Sequence, residues 1–462
     1  MHLTTSPKTS RLAIIVGIAA ATVGVIYGYD SSNIGGAMLY IAAEFSLTVE
    51  QQQLVTTTVV VGEIVGALAG GTIANRFGRK PTMVAVAVTF TLFSLLCGLA
   101  PSLVVLIIAR FLLGLTIGVS VVVVPVFVAE SAPTHARGAF LVMYQVATVS
   151  GIILGYLAAM ALAPSESWRW MLALAAIPGI IVTLLLLRLP DTARWYVMKG
   201  RPDDARRTLE RIEGTNVDVD KELESITASF RTGRKGGWRD LVRGPYLRAT
   251  IFVVGLGFFV QITGINAIVY YSPRIFEAMG FTEDTVKLGL SALVQFASLI
   301  AVVIALLVID RMGRRPVLLT GIGIMVLANA LLVTVFLIGG GEFAGVLTAL
   351  GFAGLVLFTA GFAFGFGSLV WVYAGEAMPA HLRSIGASVM LTSNLIANVI
   401  VGGVFLTLLT QLGGSGTFIV FGILAVAAFA FVFTLAPETK GRPLEDIETY
   451  WQNGGRWEPI ER

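Results

Sequence analysis

The sequence predicts an all-α membrane protein with 12 transmembrane helices in two pseudo-symmetric six-helix bundles. Three features predict it: a composition too apolar for water, a succession of apolar stretches of membrane-crossing length, and short motifs that occur twice. Of 462 residues, 56% are hydrophobic and 13% are charged, against roughly 25% charged in a soluble domain. Fifty-one glycines and a mean hydropathy of +0.84 suit closely packed transmembrane helices, whose interfaces favour small residues.

The first element is the run from Leu12 to Tyr29, 18 residues without a charge, closed by Asp30. Lys8 and Arg11 precede it as in a secretory signal, but the run is too long for the apolar core of such a signal, so it is expected to remain as helix 1. Charge, proline and glycine punctuation marks off segments at about 12–42, 54–74, 82–100, 102–128, 139–163, 170–189, 249–271, 286–309, 316–338, 346–376, 384–410 and 415–436. Each is near the roughly 20 residues that cross about 30 Å of hydrocarbon. Lys and Arg then orient the chain. With both termini cytoplasmic, Arg169, Arg274 and Lys287 are the only three of 32 basic residues outside, Arg110 lies within the membrane, and 28 remain cytoplasmic.

Residues 190–248 alternate acids and bases, as in Asp203-Asp204-Ala205-Arg206-Arg207-Thr208-Leu209-Glu210-Arg211. This reads as a cytoplasmic linker with short amphipathic helices. It separates an N-terminal bundle (1–189) from a C-terminal bundle (249–436), which a cytoplasmic tail (437–462) follows. Asn75-Arg76-Phe77-Gly78-Arg79-Lys80-Pro81 returns as Asp310-Arg311-Met312-Gly313-Arg314-Arg315-Pro316, Glu130 with Arg137 returns as Glu376 with Arg383, and Pro190-Asp191-Thr192 returns as Pro437-Glu438-Thr439, at offsets of 235, 246 and 247 residues. Corresponding motifs in two halves are the mark of a duplicated bundle, the architecture of rocking carriers with a site near the membrane midplane.

Several classes are excluded or disfavoured. Cys97 is the only cysteine, so no intrachain disulfide or Cys-based zinc site is available; no cofactor and no metal site are expected. The net charge of +4 is accounted for by topology, and nucleic acid is not an expected partner. No Gly-x-x-x-x-Gly-Lys-Ser/Thr loop occurs, which removes the usual ATPase signature. No nucleophile–base constellation points to an enzyme.

Over nearly its whole length the chain resembles a sugar porter of the major facilitator superfamily. The residues that carry the resemblance are Gly28-Tyr29-Asp30 with Gly35-Gly36-Ala37, Asn75 to Lys80, Arg110-Phe111, Pro125 with Glu130 to Gly138, Pro190-Asp191, Gln261 to Asn266 with Tyr270-Tyr271-Ser272, Asp310 to Arg315, and Pro437 to Arg442. The Arg-x-Gly-Arg loops indicate the superfamily; Gln-x-x-Gly-Ile-Asn and the Pro-Glu-Thr-Lys-Gly end narrow it to the sugar porters.

Asp30, Glu63 and Arg110 are the ionisable residues well inside the apolar spans. An ionised group in hydrocarbon is costly unless it is paired, protonated or beside water, and is seldom kept without a use. Asp30 and Arg110 fall at similar heights and are expected to pair. Held by the guanidinium the carboxylate stays charged; separated from it, in apolar surroundings, it favours taking up a proton. The resemblance implies that this pair couples protonation to rocking, while the residues alone also allow a permanent ion pair locking two helices. Glu63 matches no motif of the family. It reads as a second proton site, a substrate contact or a neutral hydrogen-bonding acid.

A sugar needs fixed donors and acceptors and an aromatic face, and amide side chains both donate and accept. The family motifs imply Gln145, Gln261, Asn266, Trp371, Asn394 and Asn398 as substrate-binding residues, with Asn394 and Asn398 on one helical face. Gly264 is placed to interrupt its helix and aim Gln261 and Asn266 at one cavity. Against the family pattern, Val260 stands where a second Gln is usual, Ser298 where an Asn is, Leu395 where an aromatic is, and Gly367-Ser368-Leu369-Val370 replaces a Pro-rich approach to Trp371. Fewer amides point to a different sugar, a deoxy sugar or a polyol.

On the cytoplasmic side, Arg76, Arg79, Arg137, Arg311, Arg314 and Arg383, with Asp310, are expected to form a latch with Glu130, Asp191, Glu376 and Glu438, closing the outward-open state. The expected protein is a proton-coupled symporter of a hexose or pentose. A uniporter with a structural Asp30 and a non-transporting sugar sensor are the alternatives, the short tail arguing against the sensor. Its expected partners are a small sugar, the proton and the lipid bilayer. The compact loops and the absence of an Asn-x-Ser/Thr sequon fit a bacterial inner membrane, with the monomer as the working unit.

Overall fold

The computed structural model describes residues 11–131, 137–213, 219–232, 237–340, 343, 345–379, 381–442 and 446–457. Five helices, α1 (Arg11–Glu44), α2 (Val49–Phe77), α3 (Arg79–Gly98), α4 (Leu103–Ser131) and α5 (Arg137–Leu162), are followed by α6 (Trp168–Ala173) and α7 (Ala176–Leu187), which together make one span. The linker carries α8 (Ala193–Met198), α9 (Pro202–Glu213) and α10 (Val219–Thr232). Next come α11 (Gly244–Ile262), α12 (Ile265–Ala278), α13 (Asp284–Met312), α14 (Arg314–Gly339), α15 (Val346–Phe362), α16 (Ser368–Glu376), α17 (Arg383–Leu435) and α18 (Asp446–Gln452).

Among the described residues, 11 stretches are long and apolar enough to cross a membrane. The last of them is double. The 53-residue α17 breaks at Gly413, whose φ of 67° is non-helical, and its two parts correspond to the segments at 384–410 and 415–436, giving the 12 spans read from the sequence. Elsewhere helices overrun the apolar segments, because backbone hydrogen bonding continues past the edge of the hydrocarbon; α2 begins at Val49 and takes in Gln51, Gln52 and Gln53.

The chain forms two compact units. One comprises Met1–Asp30, Val61–Gly151 and Leu172–Gly233; the other comprises Ser31–Val60, Ile152–Met171 and Arg234–Arg462. In the first, α2 lies against α4 with almost nothing between their backbones: a Cβ on Gly62 would overlap the Phe111 carbonyl, and one on Gly118 the Glu63 carbonyl. The amphipathic helices expected in the linker are present, burying Ala193, Ala205, Leu209 and Ile226 against one another.

In the second unit, Tyr271 stacks on Phe405 at 5.3 Å and Phe405 on Phe421 at 6.0 Å. A π-helical turn, Ala363–Gly367, joins α15 to α16, and its Gly365 lies against Gly321 of α14. The tail helix α18 is tied down at both ends: the Trp451 indole donates to the Ala377 carbonyl at 2.8 Å, and Glu448 accepts from the Tyr246 hydroxyl at 2.6 Å.

Replacing Gly118 with Val forces α2 and α4 apart, at a cost of about 1–3 kcal/mol for overpacking. Thermal unfolding of the purified protein in detergent should therefore show a clear fall in Tm for Gly118→Val. Gly71→Ala, where an added Cβ meets nothing within 4 Å, should leave Tm within a degree or so of wild type, in the range of neutral surface changes.

Candidate functional site

The first unit holds Asp30, Glu63 and Arg110, the ionisable residues well inside the apolar spans. Asp30 on α1 and Arg110 on α4 are 5% and 1% exposed, and the Arg110 Nη1 donates to Asp30 Oδ1 at 2.8 Å. The remaining Arg110 donors, Nε and Nη2, have no hydrogen-bond partner among the described residues. Glu63 on α2 is 3% exposed, its Oε2 likewise without a partner. Gln145 is half-buried on α5 in the same unit.

The second unit holds the other amides. The helix stops after Ile262 and restarts at Ile265, with Gly264 at φ 103°; this left-handed conformation costs a residue with a side chain and is natural to glycine. Across the break, the Gln261 Nε2 donates to Asn394 Oδ1 at 3.3 Å, while Asn398 and Asn266 both donate to the Tyr270 hydroxyl, at 3.1 and 3.4 Å. Gln261 Oε1 and Asn398 Oδ1 are buried with no partner among the described residues. Unspent acceptors on fixed amides are what a polyhydroxylated ligand requires. Trp371 on α16 is 46% exposed, and no hydrogen bond or ring contact ties it to this network among the described residues.

The repeated motifs build the same arrangement twice. In the first unit, Gly78 at φ 113° turns the chain into α3, and the backbone N–H groups of Arg79 and Lys80 donate to Asp191 at 3.1 and 3.2 Å. The Arg79 side chain pairs with Glu130 at 3.1 Å, and the Thr192 hydroxyl donates to Glu130 at 2.6 Å. In the second unit, Gly313 at φ 98° precedes α14, and the N–H groups of Arg314 and Arg315 donate to Glu438 at 3.0 and 3.1 Å. Arg314 lies 3.5 Å from Glu376 and 3.0 Å from Asp310, and the Thr439 hydroxyl donates to Glu376 at 2.5 Å. Burial pushes the Asp191 carboxyl up from the ordinary carboxylate value, against the three N–H donors that favour its charge.

Of the six expected latch arginines, Arg79 and Arg314 therefore meet acids with their side chains. Arg76 is exposed over the Phe77 ring, Arg311 offers its carbonyl to Lys440 at 2.6 Å, and Arg383 is half-buried with no partner for Nε among the described residues. The side chain of Arg137 lies outside the described residues.

Sequence reasoning passed over four polar groups of the second unit. Tyr270 receives two amides, and its signal was the spacing of four from Asn266. Gln53 Nε2 donates to Thr407 at 2.9 Å and Gln52 accepts from Arg274 at 3.2 Å; their signal was the glutamine run ahead of segment 2. Gln295 on α13 is 2% exposed with a free Nε2 among the described residues; its signal was an amide inside an apolar span.

The model of the family described as "Sugar (and other) transporter" matches residues 16–451. The chain belongs to this sugar transporter family. It is 35% identical over 454 residues to the galactose-proton symporter of Escherichia coli K12, covering 98% of this chain and 97% of that protein. It is 33% identical over 442 residues to the arabinose-proton symporter of the same strain, covering 95% and 93%. Among solved structures, the proton:xylose symporter XylE of E. coli, bound to 6-bromo-6-deoxy-D-glucose, overlays with a TM-score of 0.78 at 25% identity, covering 95% of this family member and 99% of XylE. The fold is the 12-helix fold of the major facilitator superfamily, and the resemblance read from the motifs holds.

Removing one partner of a buried ion pair strands the other, at a cost of about 3–5 kcal/mol. Arg110→Ala should accordingly lose most of its monodisperse folded material in fluorescence-detected gel filtration. Replacing both partners by neutral amides, Asp30→Asn with Arg110→Gln, should recover a substantial part of it.

Proposed function

We propose that the protein is a proton-coupled symporter of a monosaccharide, a hexose or pentose, that works by alternating access. The observation that carries this reading is the buried Asp30–Arg110 pair in a sugar transporter fold, with relatives that are galactose-proton and arabinose-proton symporters. Asp30 is the proton acceptor and Arg110 its alternating partner. Gln145, Gln261, Asn266, Trp371, Asn394 and Asn398 contact the sugar, and residues 1–189 and 249–436 are the bundles that rock, joined by 190–248.

Arg76, Arg79, Glu130, Arg137, Asp191, Asp310, Arg311, Arg314, Glu376, Arg383 and Glu438 form the cytoplasmic latch of the outward-open state. It must open in every cycle, which weak, water-accessible pairs suit; Arg314–Glu376 is partly exposed, while Arg79–Glu130 is buried. Both termini are cytoplasmic, the tail is 437–462, and the protein works as a monomer in a bacterial inner membrane. Supporting this orientation, each of the three basic residues assigned outside meets an acid: Arg169 with Glu44 at 2.7 Å, Arg274 with Glu277 at 2.8 Å and Lys287 with Asp284 at 2.6 Å.

Two experiments test the reading. In liposomes loaded with a pH-sensitive dye, a hexose or pentose from a panel should acidify the lumen with wild type. Asp30→Asn should abolish the acidification while sugar counterflow, which needs no net proton movement, remains measurable. Sugar entry without acidification in either protein would instead make it a uniporter with a structural Asp30. Second, Asn398→Ala and Gln261→Ala each remove a buried hydrogen-bonding group worth about 1–3 kcal/mol. Each should raise the half-saturating sugar concentration roughly ten-fold or more, whereas Asn329→Ala on α14 should change it little.

A further inference from the structure

Glu63 is the buried acid that the reading above leaves unused. The near-contact of its backbone with Gly118 fixes it against α4, about two helical turns from Arg110 on that helix. The charged and titratable groups around it are Asp30 on α1 and Arg110 on α4, which both act on it electrostatically, and Tyr144 on α5, which it acts on in turn. Cys97 on α3 lies in the field of the same Asp30 and Arg110. All five residues belong to the first unit.

Two carboxyl groups thus share the field of one guanidinium, and one of them, Asp30, is in contact with it. Arg110 gives Nη1 to Asp30 and, among the described residues, has Nε and Nη2 to spare, while Glu63 Oε2 lacks there the hydrogen bond that a purely structural acid would be expected to have made. With every member of the trio at most 5% exposed, ionising both acids would bury a net negative charge. Keeping one proton on the pair is far less costly. Asp30 is the acid that accepts from Arg110, and Glu63 is the acid left over.

We propose that Glu63 is the second carboxyl of the proton-coupling centre: it holds a proton while Asp30 is paired with Arg110, and yields it to Asp30 when the guanidinium turns to Glu63. This deepens the symport reading and rests on it. In the exchange the O–H bond of Glu63 breaks, an O–H bond forms on Asp30, and the Arg110 donors pass from one carboxylate to the other. The trio stays neutral before and after, so the proton moves without leaving a charge stranded in the interior. Its titration belongs to the two acids together and to neither alone.

Infrared difference spectroscopy of the full-length protein in lipid, which requires no transport, reads the shared proton directly. At neutral pH the wild type should show a protonated-carboxyl C=O band. That band should be absent in Glu63→Gln, where Asp30 stays ionised on Arg110. It should be absent in Asp30→Asn as well, because Glu63 then takes Arg110 and ionises. A band that survives in Asp30→Asn makes Glu63 an independent structural acid, and no band in wild type makes it permanently ionised; either overturns the proposal. Should Asp30→Asn fail to fold, the wild-type minus Glu63→Gln spectrum taken across pH decides, since the shared proton must titrate together with Asp30. In the dye assay, Glu63→Gln should move the pH profile of sugar-driven acidification by roughly one unit. An absence of wild-type acidification would count against symport alone and leave the infrared result standing.

Discussion

A guanidinium in a membrane interior has to be neutralised, and that requirement organises the first unit. Arg110 is 1% exposed and meets Asp30 at 2.8 Å. Holding such a pair out of water is costly unless geometry is maintained, so the helices that carry its members must be positioned closely. The glycines of α2 and α4 bring in a third helix, because removing side chains from that contact brings the two backbones together and sets Glu63 against Gly118, on the helix that carries Arg110. Small residues and buried charges are therefore one feature: the packing is tight where the electrostatics demand it.

At the ends of the spans the same economy appears in another form. The acids Asp191 and Glu438 look in the sequence like partners for arginine side chains, yet each accepts hydrogen bonds from the first two backbone N–H groups of a helix, α3 or α14. They neutralise the helix N-terminus, where unpaired N–H groups and the helix dipole favour a negative charge. The glycine before each helix supplies the turn that points those N–H groups outward. What remains for the side chains is the Arg79–Glu130 contact and its looser counterpart from Arg314 to Glu376.

Much of this was legible in the sequence, for reasons that can be stated residue by residue. Apolar length and charge placement give spans because hydrocarbon penalises every exception, and the duplicated motifs give matching starts to α3 and α14 because the same helix start needs the same acid. Asp30 and Arg110 stand out as charges where charges are costly. The amides Gln261, Asn394, Asn266 and Asn398 were identified as a set by motif; hydrogen bonds join them in two pairs, Gln261 with Asn394, and Asn266 with Asn398 through Tyr270. Pattern does not reveal which atom accepts from which donor. That Tyr270 would collect two asparagines, or that Asp191 would be used by backbone and not by arginine, depends on helix rotation and on a break at Gly264, neither of which hydropathy encodes. Glu63 had a composition signal and no motif, so only its unpartnered oxygen and its neighbours give it a role.

The Asp30–Arg110 pair proposed for the proton lies in one unit and most of the amides proposed for the sugar in the other, and α1 contributes residues to both. Asp30 is the last residue of α1 in the first unit, and Gly35, five residues on and about 7.5 Å further along the helix, lies in the second unit with the Tyr270 carbonyl directly against it. Tyr270 is the residue whose hydroxyl receives Asn266 and Asn398. A close-packed interior has no slack to absorb a shift at such a contact. Any rotation or slide of α1 at Gly35 must displace the backbone of Tyr270, whose hydroxyl Asn266 and Asn398 share, because no side chain at Gly35 cushions that contact.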